Sequence, residues 1–176
     1  MDKQRVQDFL DQRYRFVVED YNWTKPFSNF FHGIGGKWGI PMWAFYVNRG
    51  QCISSMGLKD KDNAIVEFQS FNKALQSVDR LGFRTFLKTG DGFLYEPFQK
   101  STDKKIRQTM IVSSEELEID DLNPKLGLET NVLYFPLVNE HMAALVRRLA
   151  IKNLQTDLIM VEILDGLPIM LPYGLN

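Results

Sequence analysis

The punctuation of the sequence constrains its fold more than any other feature. From Met42 onward, short apolar and aromatic runs are cut at short intervals by polar clusters rich in Gly, Asn and Asp. Residues 42–47 are apolar and aromatic. They run into the turn sequence Asn48-Arg49-Gly50-Gln51, and residues 52–56 can return as a partner strand. Residues 59–63 form a second polar turn, with 64–68 beyond it. Residues 83–88 and 93–98 flank Thr89-Gly90-Asp91-Gly92, which reads as a hairpin connection. Residues 106–113 and 116–120 alternate with a period near two, and 128–135 is a further strand. The pattern predicts a mostly β fold, an antiparallel β-sandwich between about Met42 and Leu164. In residues 158–164, Ile159, Val161 and Ile163 share one face and the other face is also mostly apolar. Such a strand is expected to be covered on both sides.

The first residues read differently. Val6, Phe9, Leu10, Tyr14, Val17, Val18 and Tyr21 recur at helical spacing behind Asp2 as an N-cap, which predicts an N-terminal helix near residues 6–21. Pro26, Gly33, Gly35, Gly36, Gly39 and Pro41 then mark a loop-rich stretch. Residues 142–151 are ambiguous. Met142, Leu145, Val146 and Leu149 fit a helix, whereas Leu145, Leu149 and Ile151 also fit one side of a strand.

The chain has 176 residues, enough for one domain with a real core. Lys plus Arg is 21 and Asp plus Glu is 22. A nucleic-acid binder draws much of its affinity from phosphate contacts and carries a basic excess, so this balance argues against one. Cys52 is the single cysteine, and His32 and His141 lie far apart, so no zinc site of the usual spacing is expected. No cofactor is expected either. The charged N-terminus lacks the apolar core of a signal peptide, and no run approaches the ~18 apolar residues of a membrane span. The expectation is a reduced, cytoplasmic protein with no membrane or nucleic-acid partner. The apolar end LDGLPIMLPYGLN, with two prolines and no polar tail, reads as a chain cut where more protein follows.

Candidate chemistry is sparse. The run from His32 to Gly39 invites a phosphate-loop reading, but Trp38 stands both where a dinucleotide fingerprint needs glycine and where a P-loop needs Ser or Thr. A tight loop using glycine's positive φ is the better reading. No Gly-x-Ser-x-Gly elbow is present. Cys52 in a strand reads as a small buried hydrophobe. Asp60 with Asp62, and Asp91 with Glu96, sit among turn residues and read as solvated. No residue is assigned a catalytic role. The aromatic stretch Trp23, Phe27, Phe30, Phe31, Trp38, Trp43, Phe45 and Tyr46 has two readings. Sugar rings stack their apolar faces on aromatic rings, and Asn48, Arg49 and Gln51 could bond hydroxyls, so Trp38, Trp43, Asn48, Arg49 and Gln51 are candidate sugar-binding residues. Composition alone favours core or a domain seam.

The phrases KPFSNFF, GIPMWAFYVNRGQCISSMGLKDKDNAIVEF, GFRTFLK and VEILDGLPIMLPYGLN resemble the N-terminal region of bacterial inverting glycoside phosphorylases, cellobiose-phosphorylase-like proteins that include β-oligoglucan phosphorylases. The resemblance runs through nearly the whole chain. It implies that residues 1–176 are a single domain, a galactose-mutarotase-like supersandwich fronting a helical linker and an (α/α)6 barrel. It also implies that 143–153 and 157–164 are neighbouring sandwich strands. The parent would be a glycosyltransferase-type phosphorylase cleaving β-glucan oligosaccharides with inorganic phosphate, with its acid and phosphate site in the missing C-terminal barrel and a homodimer as a candidate assembly. A free-standing carbohydrate-binding module and a protein-interaction β-domain remain as alternatives.

Overall fold

The computed structural model describes residues 9–11 and 15–170. It is mostly β and antiparallel, as the turn spacing predicts. The strands are β1 (Phe9–Leu10), β2 (Phe16–Glu19), β3 (Ser28–Gly35), β4 (Ile40–Val47), β5 (Ile53–Leu58), β6 (Ala64–Val66), β7 (Arg84–Thr89), β8 (Leu94–Tyr95), β9 (Arg107–Val112), β10 (Leu117–Asn123), β11 (Leu128–Pro136), β12 (Leu145–Asn153) and β13 (Val161–Gly166). The one α-helix among the described residues, α1, spans Phe71–Leu81. Three sheets form, in the orders β1-β2-β9-β10-β11-β12, β3-β4-β5-β6 and β13-β7-β8.

The six-stranded sheet supplies Val18, Met110, Leu117, Ile119, Val132 and Tyr134 to the main core, and Phe31, Ala44, Tyr46 and Ile53 reach it from the four-stranded sheet. The three-stranded sheet adds buried Leu87 and Thr85. The layers therefore meet as a sandwich. β4 is covered on both faces. Ala44 and Tyr46 enter the main core, whereas Trp43, Phe45 and Val47 pack against Ala74 and Val78 of α1. That double burial accounts for the unbroken apolar run from Met42 to Val47.

Several expectations change here. Residues 9–10 and 16–19 are extended, not helical: β1 pairs with β2, and Val17 and Val18 pair with Ile111 and Met110 of β9. β-Branched valines beside an available ladder outweigh a helical period; residues 6–8 and 12–14 lie outside the described residues. Of the glycine-rich stretch, Gly33 and Gly35 lie in strand β3, whereas Gly36 and Gly39 form the turn to β4. Glycine is needed in β3 because residues 136–143 press on the strand: a Cβ on Gly33 would stand 2.3 Å from Pro136 Cγ, and one on Gly35 2.9 Å from Ala143 Cβ. Only at Gly36 and Gly39, in the turn to β4, does positive φ (66° in each) decide the residue. Residues 145–153 are a strand, as the resemblance implies, but β12 and β13 join different sheets. β13 is not covered on both sides, since Ile163 is 53% and Leu164 70% exposed.

Two turns are pinned by buried polar groups. Asn48 shares its amide hydrogens among Tyr21 O (3.1 Å), Thr24 Oγ1 (2.6 Å) and Lys25 O (3.0 Å), and its Oδ1 accepts from Phe27 N at 2.8 Å. Asn22 donates to Phe98 O (3.0 Å) and Gln108 Oε1 (2.8 Å) and accepts from Gly50 N (2.9 Å). The Asn48→Ala variant orphans several buried partners at once. Urea unfolding should show a loss of about 2–3 kcal/mol; a loss below about 0.5 kcal/mol would mean that water replaces the amide.

Candidate functional site

The outer face of the four-stranded sheet carries the aromatic surface. Phe30, His32 and Ile34 of β3 lie opposite Phe45, Trp43 and Pro41 of β4 in the ladder and share a face with them. Helix α1, ~16 Å long at 1.5 Å per residue, is shorter than β4, ~26 Å at 3.3 Å per residue. It packs on Trp43, Phe45 and Val47 and leaves the β3 side open. What remains is a groove of about 800 Å³ floored by Phe30, Trp43 and Phe68. Phe30 and Phe68 are 38% and 40% exposed. Their rings are nearly parallel, 11° apart with centroids at 6.1 Å, and Trp43 meets Phe30 edge-on at 66°. The rim is polar: His32, Lys59, Asp60, Lys61, Ser114 and Glu115. Trp43 is fixed there by its indole N–H, which donates to Asp60 O at 3.0 Å.

The five candidate sugar-binding residues are not brought together. Trp43 lies in the groove floor, although only 8% exposed. Trp38 sits at the tip of the β3–β4 turn, 75% exposed, with Lys37 Nζ 4.9 Å from its ring centroid. Asn48, Arg49 and Gln51 lie at the other end of β4. Asn48 is the buried pin described above. Arg49 donates to Tyr21 O, Asn48 O and Thr24 O, and burial holds its pKa below the ordinary arginine value. Gln51 donates to Thr85 Oγ1 at 2.9 Å and accepts from Arg147 at 2.6 Å. The polar atoms of these three side chains are spent on the fold. Phe30 stood in the aromatic stretch read from the sequence. Phe68 did not, because it follows β6 and reaches the groove only through the tertiary fold.

The titratable groups have local explanations. Asp60 accepts from Asp62 N (3.0 Å) and Asn63 Nδ2 (2.7 Å), and the Asn63 bond foremost holds its carboxyl below the usual range. An ionised rim carboxylate accepts hydrogen bonds and is unsuited to donate a proton as a general acid. Asp91 accepts from Thr89 Oγ1 and Phe93 N in its turn, while Glu96 is clasped by Arg84 through two bonds of 2.7 Å. Burial pushes the Cys52 thiol well up, as expected of an inert core cysteine. Asp121 is buried and accepts from Tyr95 Oη (2.5 Å), Gln108 Nε2 (2.8 Å) and Phe98 N (3.0 Å). Desolvation raises its pKa against these bonds. Among the described residues, no group of three or more His, Cys, Asp or Glu could hold a metal ion, and no helix is long and apolar enough to cross a membrane.

Compared with known proteins, the chain matches no protein-family model and no curated sequence.

A raised folded-state pKa means that ionised Asp121 costs stability. The cost is fully present above the folded pKa and vanishes as pH falls below the unfolded value of about 3.9. An NMR titration of the Asp121 carboxyl carbon should give a midpoint above that value. A midpoint at or below it would show that the three hydrogen bonds outweigh desolvation.

Proposed function

We propose that the chain is the front β-sandwich domain of a cytoplasmic, carbohydrate-active enzyme of the glycoside-phosphorylase type, and that the groove over Phe30, Trp43 and Phe68 is where it contacts sugar. The observation that carries this reading is the pairing of an exposed aromatic floor with a rim of both donors and acceptors. A pyranose has the complementary chemistry: apolar C–H faces that stack on rings, and edge hydroxyls that donate and accept. Lys59 and Lys61 would donate to such hydroxyls, and Asp60 and Glu115 would accept from them.

The domain is a scaffold rather than a catalyst. Inverting phosphorolysis needs a protonated acid at the glycosidic oxygen and a phosphate attacking from the opposite face. The ionised Asp60 suits the first role poorly, and both roles fall to a following barrel domain under this reading. A free-standing carbohydrate-binding module is the second reading, favoured by a groove built from this chain alone. An immunoblot of the native protein separates the two: a band far above 20.5 kDa supports the first and one at that mass the second.

Two tests address the chemistry. Calorimetric or NMR titration with β-1,4- and β-1,3-linked gluco-oligosaccharides should detect binding. Phe30→Ala and Phe68→Ala should each weaken it about tenfold, the loss of one well-covered ring, whereas Trp38→Ala should leave it unchanged. Absence of binding, or binding indifferent to both phenylalanines, would favour a protein-interaction domain instead. Incubated with phosphate and the same oligosaccharides, the purified chain should release no sugar 1-phosphate, and turnover surviving further purification would overturn the scaffold assignment.

A further inference from the structure

A second cleft opens where β2 runs into the short 3₁₀ turn Tyr21–Trp23. It encloses about 800 Å³ between residues 19–23 on one side and residues 101–109, the chain entering β9, on the other. Its aromatic wall is Trp23, which is 53% exposed and yet fixed. Trp23 follows the buried pair Tyr21 and Asn22, and its indole N–H donates to Ser101 O at 3.0 Å. Lys100 Nζ stands 3.9 Å from the ring centroid, and Lys100 does not line the cleft, so the ammonium backs the ring from outside. The facing loop is held by its own bonds, Asp103 N to Ser101 Oγ (3.1 Å) and Lys105 N to Asp103 Oδ1 (2.9 Å). Glu19, Asp20, Lys104 and Arg107 line the same cleft. Among the described residues, no hydrogen bond or salt bridge within the chain engages those four side chains. The cleft thus joins a pre-ordered, solvent-facing indole to charged heads that the fold itself does not use.

We propose that this cleft is a binding site for a neutral saccharide, separate from the groove over Phe30, Trp43 and Phe68. Charge narrows the ligand class. Glu19, Asp20 and Asp103 bring three carboxylates to the cleft, and Lys104 and Arg107 bring two cations. A ligand with net charge of either sign would be desolvated against like charges there. A polyol carries no net charge, and each hydroxyl both donates and accepts: the carboxylates accept from it, and the ammonium and guanidinium groups donate to it. The apolar C–H face of a sugar ring packs on the indole, and a ring fixed in advance adds little ordering cost to binding. The cleft and the groove stand at opposite ends of β9. The groove touches Ser114 and Glu115 beyond the last residue of the strand, whereas the cleft is lined from residues 101–109 around its first. Six residues at 3.3 Å each put ~20 Å between them. The two sites share no lining residue, so this proposal does not depend on the groove holding sugar.

NMR titration of the full chain with β-1,4-linked glucotetraose, up to about 10 mM, should move the Trp23 indole N–H and the Thr109 amide together and to saturation. Trp23→Ala should weaken the Thr109 response about tenfold, the loss of one covered ring. Arg107 is exposed, so Arg107→Gln tests a donor with little risk to the fold and should weaken binding about two- to tenfold. If Trp23→Ala fails to fold, Arg107→Gln decides. Phe30→Ala should leave the Trp23 and Thr109 responses unchanged, so a silent groove with a responsive cleft supports this site alone. Stationary Trp23 and Thr109 signals throughout the titration would overturn the proposal. So would responses that survive both variants, or a larger response to inorganic phosphate than to the sugar at equal concentration.

Discussion

The rest of the structure depends on the burial of β4 between two apolar surfaces. On one side Ala44 and Tyr46 close the sandwich core; on the other Trp43, Phe45 and Val47 seat helix α1. A strand covered on one face only would leave three large side chains in water, at a cost of several kcal/mol. The helix is thus a lid on a sheet face, and its short length defines the groove. Where α1 stops, the same face continues as Phe30, His32 and Ile34, and the aromatics beside it remain accessible. Core packing and candidate site are two ends of one surface.

The second constraint is polar. Arg147 lies under the flank where the layers meet, with Asp165, Gln51 and Thr85 around its guanidinium group and the ring of Phe83 5.2 Å away. An arginine there needs its charge and donors answered, and a bidentate contact with Asp165 does most of this. The contact fixes the edge of one sheet over the edge of another, although no backbone bond joins them. Asp121 does comparable work deeper in the fold, holding Tyr95, Phe98 N and Gln108 at the far end of the core.

The sequence was legible where a signal was local. Asn48 to Gln51, Lys59 to Asn63 and Thr89 to Gly92 mark turns that the fold contains, because side-chain chemistry alone selects such turns. It was misleading where partners decide. Val17 and Val18 fit a helical period, yet they are strand because β9 stands beside them. Gly33 and Gly35 look like loop residues, yet they admit the Pro136 and Ala143 side chains against a strand. Helix α1 carries the 3.6-residue period in Phe71, Ala74, Leu75 and Val78, with Ser70 before them and Gly82 after, but the strand signals on either side mask it. For the candidate site, an aromatic-rich stretch was visible, but which rings face outward was not. Trp43 and Phe30 reach the groove through strand register, and Phe68 through a crossing that no local pattern encodes. Asn48 and Gln51 look available because they are polar and sit in a turn; burial turned both into fasteners.

Among the described residues, the groove and the β12–β13 flank occupy different surfaces. The groove is lined from β3, β4, the turn after β5, Phe68 and the β9–β10 turn; no residue of β12 or β13 contributes to it. The flank is formed by β12 and β13 and includes none of the groove aromatics. Occupation of one therefore neither blocks nor completes the other by direct contact. Coupling between them would have to pass through the core, from Trp43 and Phe45 on one face of β4 to Ala44 and Tyr46 on the other and on to Tyr134 of β11. Those side chains are all buried, in a close-packed interior that has little room for alternative arrangements. The core between the groove and the β12–β13 flank is accordingly expected to behave as a rigid scaffold rather than as a switch.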